Sequence, residues 1–151
     1  MNTRAPLFLL FALLIAISGC SPNPKSGAGF RLPDGDANQG REVFLYMQCN
    51  QCHTIAGTEL PTIPFADPAY IELGGKIAMV KTYGDLVTSI INPSHRLAPG
   101  YAKEKVSENG TSNMYTYNRH MTVQELIDLV AFLQSHYDVV PPQFDYRIYP
   151  H

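Results

Sequence analysis

Three residues in one pentapeptide carry the most chemistry in this chain: Cys49, Cys52 and His53, in the order Cys49-Asn50-Gln51-Cys52-His53. Two thiols at this spacing can form a redox pair, a strained disulfide or half of a zinc site. With an imidazole directly after them they match the signature for covalent haem attachment. A thioredoxin-like pair calls for a surrounding βαβ pattern, and a zinc site for a second cysteine pair. The sequence has neither. The attachment reading explains the spacing. Two sulfurs must reach two vinyl groups on one porphyrin edge. The imidazole must lie under the iron and close in sequence, because the thioethers already fix the macrocycle. One turn of helix with histidine immediately after it meets both demands. Cys49 and Cys52 are therefore the expected thioether positions for one covalent haem c, and His53 the expected proximal iron ligand.

Three segments have the period to position such a site. From about Asp36 to Gln48, Asp36 is a candidate N-cap, with Gln39 three residues on, and Gly40, Val43, Phe44 and Met47 fall on one helical face. From about Tyr83 to Asn92, Thr82 is the cap, Tyr83, Leu86, Val87 and Ile90 make the apolar face, and Pro93 is the stop. From Thr122 to about Tyr137, Thr122-Val123-Gln124-Glu125 spells a capping box, and Val123, Leu126, Ile127, Val130 and Leu133 form a stripe. The stretches between them, Thr54–Thr82 and Pro93–Met121, carry several Pro and Gly and no convincing strands. Loops of that length need something to pack on, which again points to a large apolar ligand completing the core. Val139–His151 is rich in Pro and aromatics and is expected to lie extended against the domain, since Phe144, Tyr146, Ile148 and Tyr149 are costly to leave in water.

With these residues in place, the chain resembles the class I mono-haem cytochromes c over roughly Asp36 to Tyr137. In that family Gly-x-x-x-aromatic precedes the attachment motif, matched here by Gly40-Arg41-Glu42-Val43-Phe44. The resemblance implies a small all-α domain with long loops wrapped around the haem. It also implies that the last helix, at Leu126–Leu133, crosses the first near Gly40, with an aromatic packed into the crossing. It further implies a methionine as sixth iron ligand, from the loop before that helix. Met114, in Met114-Tyr115-Thr116-Tyr117, is the leading candidate, although Tyr115 stands where the family often has proline. Met121, beside the capping Thr122, is the second, and His95 and His120 are rivals of a different donor type. The family's proximal histidine donates its second ring N–H to a backbone carbonyl, for which Pro61 is the first choice here and Pro64 the next. Tyr83, Arg96, Tyr101 and Lys81 are candidate propionate partners. Met47 and Met79 read as core fillers.

The N-terminus reads as an address. Arg4 supplies a positive region and Leu7–Ile17 an apolar run too short to span a bilayer comfortably. Ile17-Ser18-Gly19-Cys20 resembles a bacterial lipobox, which implies removal of residues 1–19 and lipidation of Cys20. Ordinary signal cleavage and an uncleaved anchor are the alternatives. Residues 20–35 read as a flexible tether, 36–137 as the haem domain and 138–151 as the Pro/aromatic extension. The expected location is the periplasmic face of a Gram-negative cell envelope, lipid-anchored, with the choice of membrane open.

Charge and composition narrow the function. Lys plus Arg number 11 against 13 Asp plus Glu, and no basic stripe exists, which speaks against nucleic-acid binding. A single long apolar run excludes a polytopic membrane protein. A hydrophobic fraction of 45% argues against wholesale disorder. The expectation is an electron-transfer protein, not an enzyme, whose redox partners are a dehydrogenase, a bc-type complex or a terminal oxidase. It would act alone or as the cytochrome subunit of a larger complex. The alternative is a haem enzyme or gas-binding sensor with an open sixth position.

Overall fold

The computed structural model describes residues 29–64, 71–79 and 81–140. Cys20, the proposed signal segment and residues 141–151 lie outside the described residues. The chain divides into two units, Met1–Arg31 and Leu32–His151, and every element below belongs to the second.

Helix α1 spans Ala37–Tyr46. Asp36 begins it, its carboxylate accepting from the backbone N–H of Asn38 at 2.8 Å and of Gln39 at 3.2 Å. The helix stops before Gln48, earlier than its apolar period suggests, because Gln48 takes a left-handed conformation (φ 55°). A non-glycine residue there costs about 1–2 kcal/mol. The turn it makes delivers the chain into a 3-10 segment, Cys49–Gln51. Helix α2, Tyr83–Ile91, carries a full capping box in which Thr82 and Asp85 satisfy each other's backbone N–H groups. Asn92 follows, and Pro93 opens a second 3-10 turn, Pro93–His95. A single turn, α3, covers Lys103–Val106. Helix α4, Val123–Gln134, starts from the Thr122/Glu125 capping box.

The core is the α1–α4 crossing. Gly40 is placed so that a methyl group on it would run into the Asp128 carbonyl and come within 2.7 Å of the Phe132 Cβ. Phe44, 1% exposed, meets Phe132 at a ring separation of 5.6 Å. Leu86, Val87 and Ile90 of α2 close the same cluster. The buried arc of α4 is broader than a single stripe: Leu129 and Phe132 are buried with Ile127, Val130 and Leu133, while Val123 is 73% exposed. Val123 is the first residue of the helix. Asp128 is also buried, its carboxylate accepting from the Asp36 N–H at 2.9 Å and from Gln124 Nε2 at 3.0 Å. Leu32 packs against the core, so the packed domain begins inside the stretch read as a tether.

The helices fit the expected all-α domain, and short strands are added in and beside the stretches that showed no convincing ones. Six short strands pair two by two among the described residues. β1 (His53–Ile55) runs parallel to β2 (Ile71–Leu73). β3 (Gly75–Ile77) runs parallel to β6 (Tyr137–Val139). β4 (Ser107–Glu108) and β5 (Thr111–Ser112) form a hairpin around Asn109-Gly110, both at positive φ. Strands of two or three residues hold too little alternation to register as a period. Between β2 and β3, Gly74 (φ 85°) passes so close to His136 that a Cβ would come within 2.8 Å of its carbonyl oxygen. The Gly75 N–H donates to that same carbonyl at 2.8 Å.

Candidate functional site

The attachment pentapeptide is built by three backbone events in a row. Gln48 turns the chain, the 3-10 segment holds Cys49 to Gln51, and Cys52 leads directly into β1 with His53 as its first residue. The expected helical turn is thus the tighter 3-10 form. The Gln51 N–H donates to the Gln48 carbonyl and the Cys52 N–H to the Cys49 carbonyl, at 3.0 and 3.2 Å. Both cysteines are free thiols, Cys49 half-buried and Cys52 exposed. Burial pushes the Cys49 thiol up to about 11, so at neutral pH it is a protonated sulfur. Among the described residues no group of three or more His, Cys, Asp or Glu could hold a metal ion.

His53 is fixed by the β1–β2 ladder. It pairs in register with Ile71, and the Ile71 N–H reaches the Cys52 carbonyl at 2.7 Å. Its ring Nδ1 lies 3.2 Å from the Ile71 carbonyl oxygen. A carbonyl can only accept, so the proton sits on Nδ1 and the Nε2 lone pair is left for a metal. Burial lowers the imidazole pKa, which favours the neutral, ligating form; the bond to Ile71 opposes this to a smaller degree. The choice of Pro61 as His53's acceptor is therefore corrected. The Pro61 carbonyl accepts from Asn50 Nδ2 at 2.9 Å instead. Sequence gave no sign of Ile71, because its role depends on a parallel register set across a long loop.

Met114 follows the β4–β5 hairpin and is half-buried, its N–H donating to the Ser112 hydroxyl at 3.2 Å. Met121 packs against the core, as does Leu126. Tyr117 ties the Met114 segment to the end of α1, its hydroxyl donating to the Met47 carbonyl at 2.9 Å. Burial, helped by the nearby sulfurs of Cys49 and Cys52, pushes its phenol up to about 12, so it stays a donor. His120 is taken up by Tyr115, whose hydroxyl lies 2.9 Å from Nε2. His95 is exposed on the second 3-10 turn. His136 Nδ1 sits 2.8 Å from the Phe132 carbonyl. Of the candidate propionate partners, Arg96 pairs with Asp85 at 3.6 Å and the Tyr101 hydroxyl accepts from the Glu72 N–H at 3.1 Å. Gln134 Nε2 donates to the Lys81 carbonyl at 3.3 Å, and Tyr83 packs on the core. Met47 is a core residue as expected, whereas Met79 is 80% exposed.

These residues fit a covalently held haem. Two reduced thiols, a neutral imidazole with a lone pair to give, and the thioether of a half-buried methionine are the donor types it requires. No helix among the described residues is long and apolar enough to cross a membrane. The family model described as Cytochrome c matches residues 37–136. Comparison with the curated proteins and with the solved structures found no match.

Proposed function

The chain belongs to the cytochrome c family, whose members carry covalently attached haem c, and on that premise we propose that it is a class I mono-haem electron carrier. Bound haem supplies a one-electron Fe(III)/Fe(II) couple; the protein's residues do the rest. Cys49 and Cys52 hold the group as thioethers. His53 gives Nε2 to the iron and is kept in one tautomer by the Ile71 carbonyl. Met114 is the sixth ligand, with Tyr117 anchoring its loop to Met47. Held by both His53 and Met114, the group would offer substrate no vacant position, which would separate a carrier from a haem enzyme or gas sensor. Methionine in place of a second histidine raises the reduction potential. His95 and His120 are poor rivals, the first exposed and the second engaged by Tyr115.

The observation that carries this reading is the orientation of His53, with its second nitrogen committed to a carbonyl directly after two free thiols. The cellular setting is proposed with it: Cys20 lipidated, the domain on the periplasmic face, and electrons exchanged with a dehydrogenase, a bc-type complex or a terminal oxidase. The test is the exported protein made with intact haem-attachment machinery. Its mass should show one added macrocycle, and its reduced form should bind carbon monoxide poorly at neutral pH. Ready carbon monoxide binding would favour the enzyme or sensor instead.

A further inference from the structure

Met114 is held unequally on its two flanks. Before it, the Met114 N–H donates to the Ser112 hydroxyl, the Ser112 N–H donates to the Ser94 hydroxyl at 3.1 Å, and the Asn113 N–H reaches the Val106 carbonyl at 2.9 Å. After it, the backbone of Tyr115 and Thr116 forms no hydrogen bond to any described residue. The backbone is caught again at Tyr117, whose carbonyl accepts from the His120 and Met121 N–H groups at 2.8 and 3.0 Å. What restrains the looser flank is a side chain. The Tyr115 hydroxyl lies 2.9 Å from His120 Nε2, and its ring meets Tyr117 edge-to-face at a centroid separation of 4.9 Å. Tyr115 is 57% exposed and His120 is exposed, so neither is placed there by core burial. An exposed hydrogen bond adds little to global stability and can still govern local opening.

We propose that Tyr115 and His120 form a clasp that positions Met114. Tyr115 directly follows Met114, so its bond to His120 closes residues 115–120 into a loop. The Tyr117 hydroxyl fastens the middle of that loop to Met47, and Asn118 Nδ2 fastens it to the Ile91 carbonyl at 2.9 Å. With those anchors fixed, the Tyr115 side chain is what restrains the backbone leading out of Met114, and opening of the clasp sets how far the thioether can withdraw. Either tautomer of His120 closes it, because a hydroxyl both donates and accepts. This rests on Met114 being the sixth ligand. A closed clasp keeps that position occupied, and an open one admits a small diatomic ligand.

The experiment uses the full-length, haem-loaded protein. Met114→Ala is read first, in the far-red band of the ferric form. If the band survives, Met114 is not the ligand, and the parent reading falls together with this proposal. The clasp is then read in the rate at which the reduced protein takes up carbon monoxide. His120→Leu and Tyr115→Phe should each speed uptake about fivefold, the gain in open loop when one hydrogen bond of ordinary strength is lost. Their melting temperatures, by circular dichroism, should stay close to wild type. The double variant should be no faster than either single one, because each removes the same bond. His120→Gln, whose amide can meet the hydroxyl, should return the rate to within about twofold of wild type. If His120→Leu does not accumulate, Tyr115→Phe, smaller by one oxygen atom, is held to the same readings beside His120→Gln. Unchanged uptake in the single variants, gains that multiply in the double, no recovery in His120→Gln, or faster uptake matched by a fall in melting temperature overturns the proposal.

Discussion

Met114 and Met121 show how side chains of one type are told apart by what surrounds them. Met121 is packed into the edge of the core, so Met121→Ala should cost about 1–2 kcal/mol in a denaturant melt and leave the haem spectrum intact. Met114→Ala should abolish the far-red charge-transfer band of methionine-ligated ferric haem and open the reduced protein to carbon monoxide. The reverse pattern would move the ligand to Met121. Cys49, Cys52 and His53 stand out in the sequence as candidates because their chemistry lies in their spacing. Ile71 does not. It acts through its backbone, a property that is not written in the residue type. Gln48 was equally silent, since glutamine is an unusual residue for a left-handed turn.

The elements were legible where they are long and capped. The Thr122 box could be named from local pattern and the Gly40 crossing from the family resemblance, whereas the two parallel strand pairs rest on partners far away in the chain and the β4–β5 hairpin is too short to show a period. Gly40→Ala tests the crossing: the new methyl meets the Asp128 carbonyl on the facing helix, and calorimetry should show a loss of about 3 kcal/mol. The cap of α2 makes a prediction with a sign. Hydrogen bonds from the Thr82 hydroxyl and N–H hold the Asp85 carboxyl below its ordinary range, with a smaller pull from Lys81 and Arg96. A depressed carboxylate contributes stability that is present above its unfolded value and lost as pH falls through the folded one. Thr82→Ala should therefore cost about 1 kcal/mol at neutral pH, and the gap to wild type should narrow in acid melts below the ordinary carboxylate range.

At the scale of the whole molecule, the proposed anchor and the redox centre can be separated. Cys20→Ala should move the protein from the membrane fraction to the soluble one while the haem spectrum stays unchanged. Loss of the spectrum as well would tie export or folding to that cysteine. A modest excess of acidic residues gives the protein only a faint preference for a basic partner.

The match to the family ends at residue 136, one position before β6 begins. A gene cut back to that boundary would look complete, yet it would strip β3 of its neighbour. The backbone of Gly75–Ile77 would become a raw selvedge of unpaired amides and carbonyls, open to any passing chain. Such a shortened cytochrome should clump as its concentration rises, a tendency that sedimentation would reveal and that the intact protein should lack.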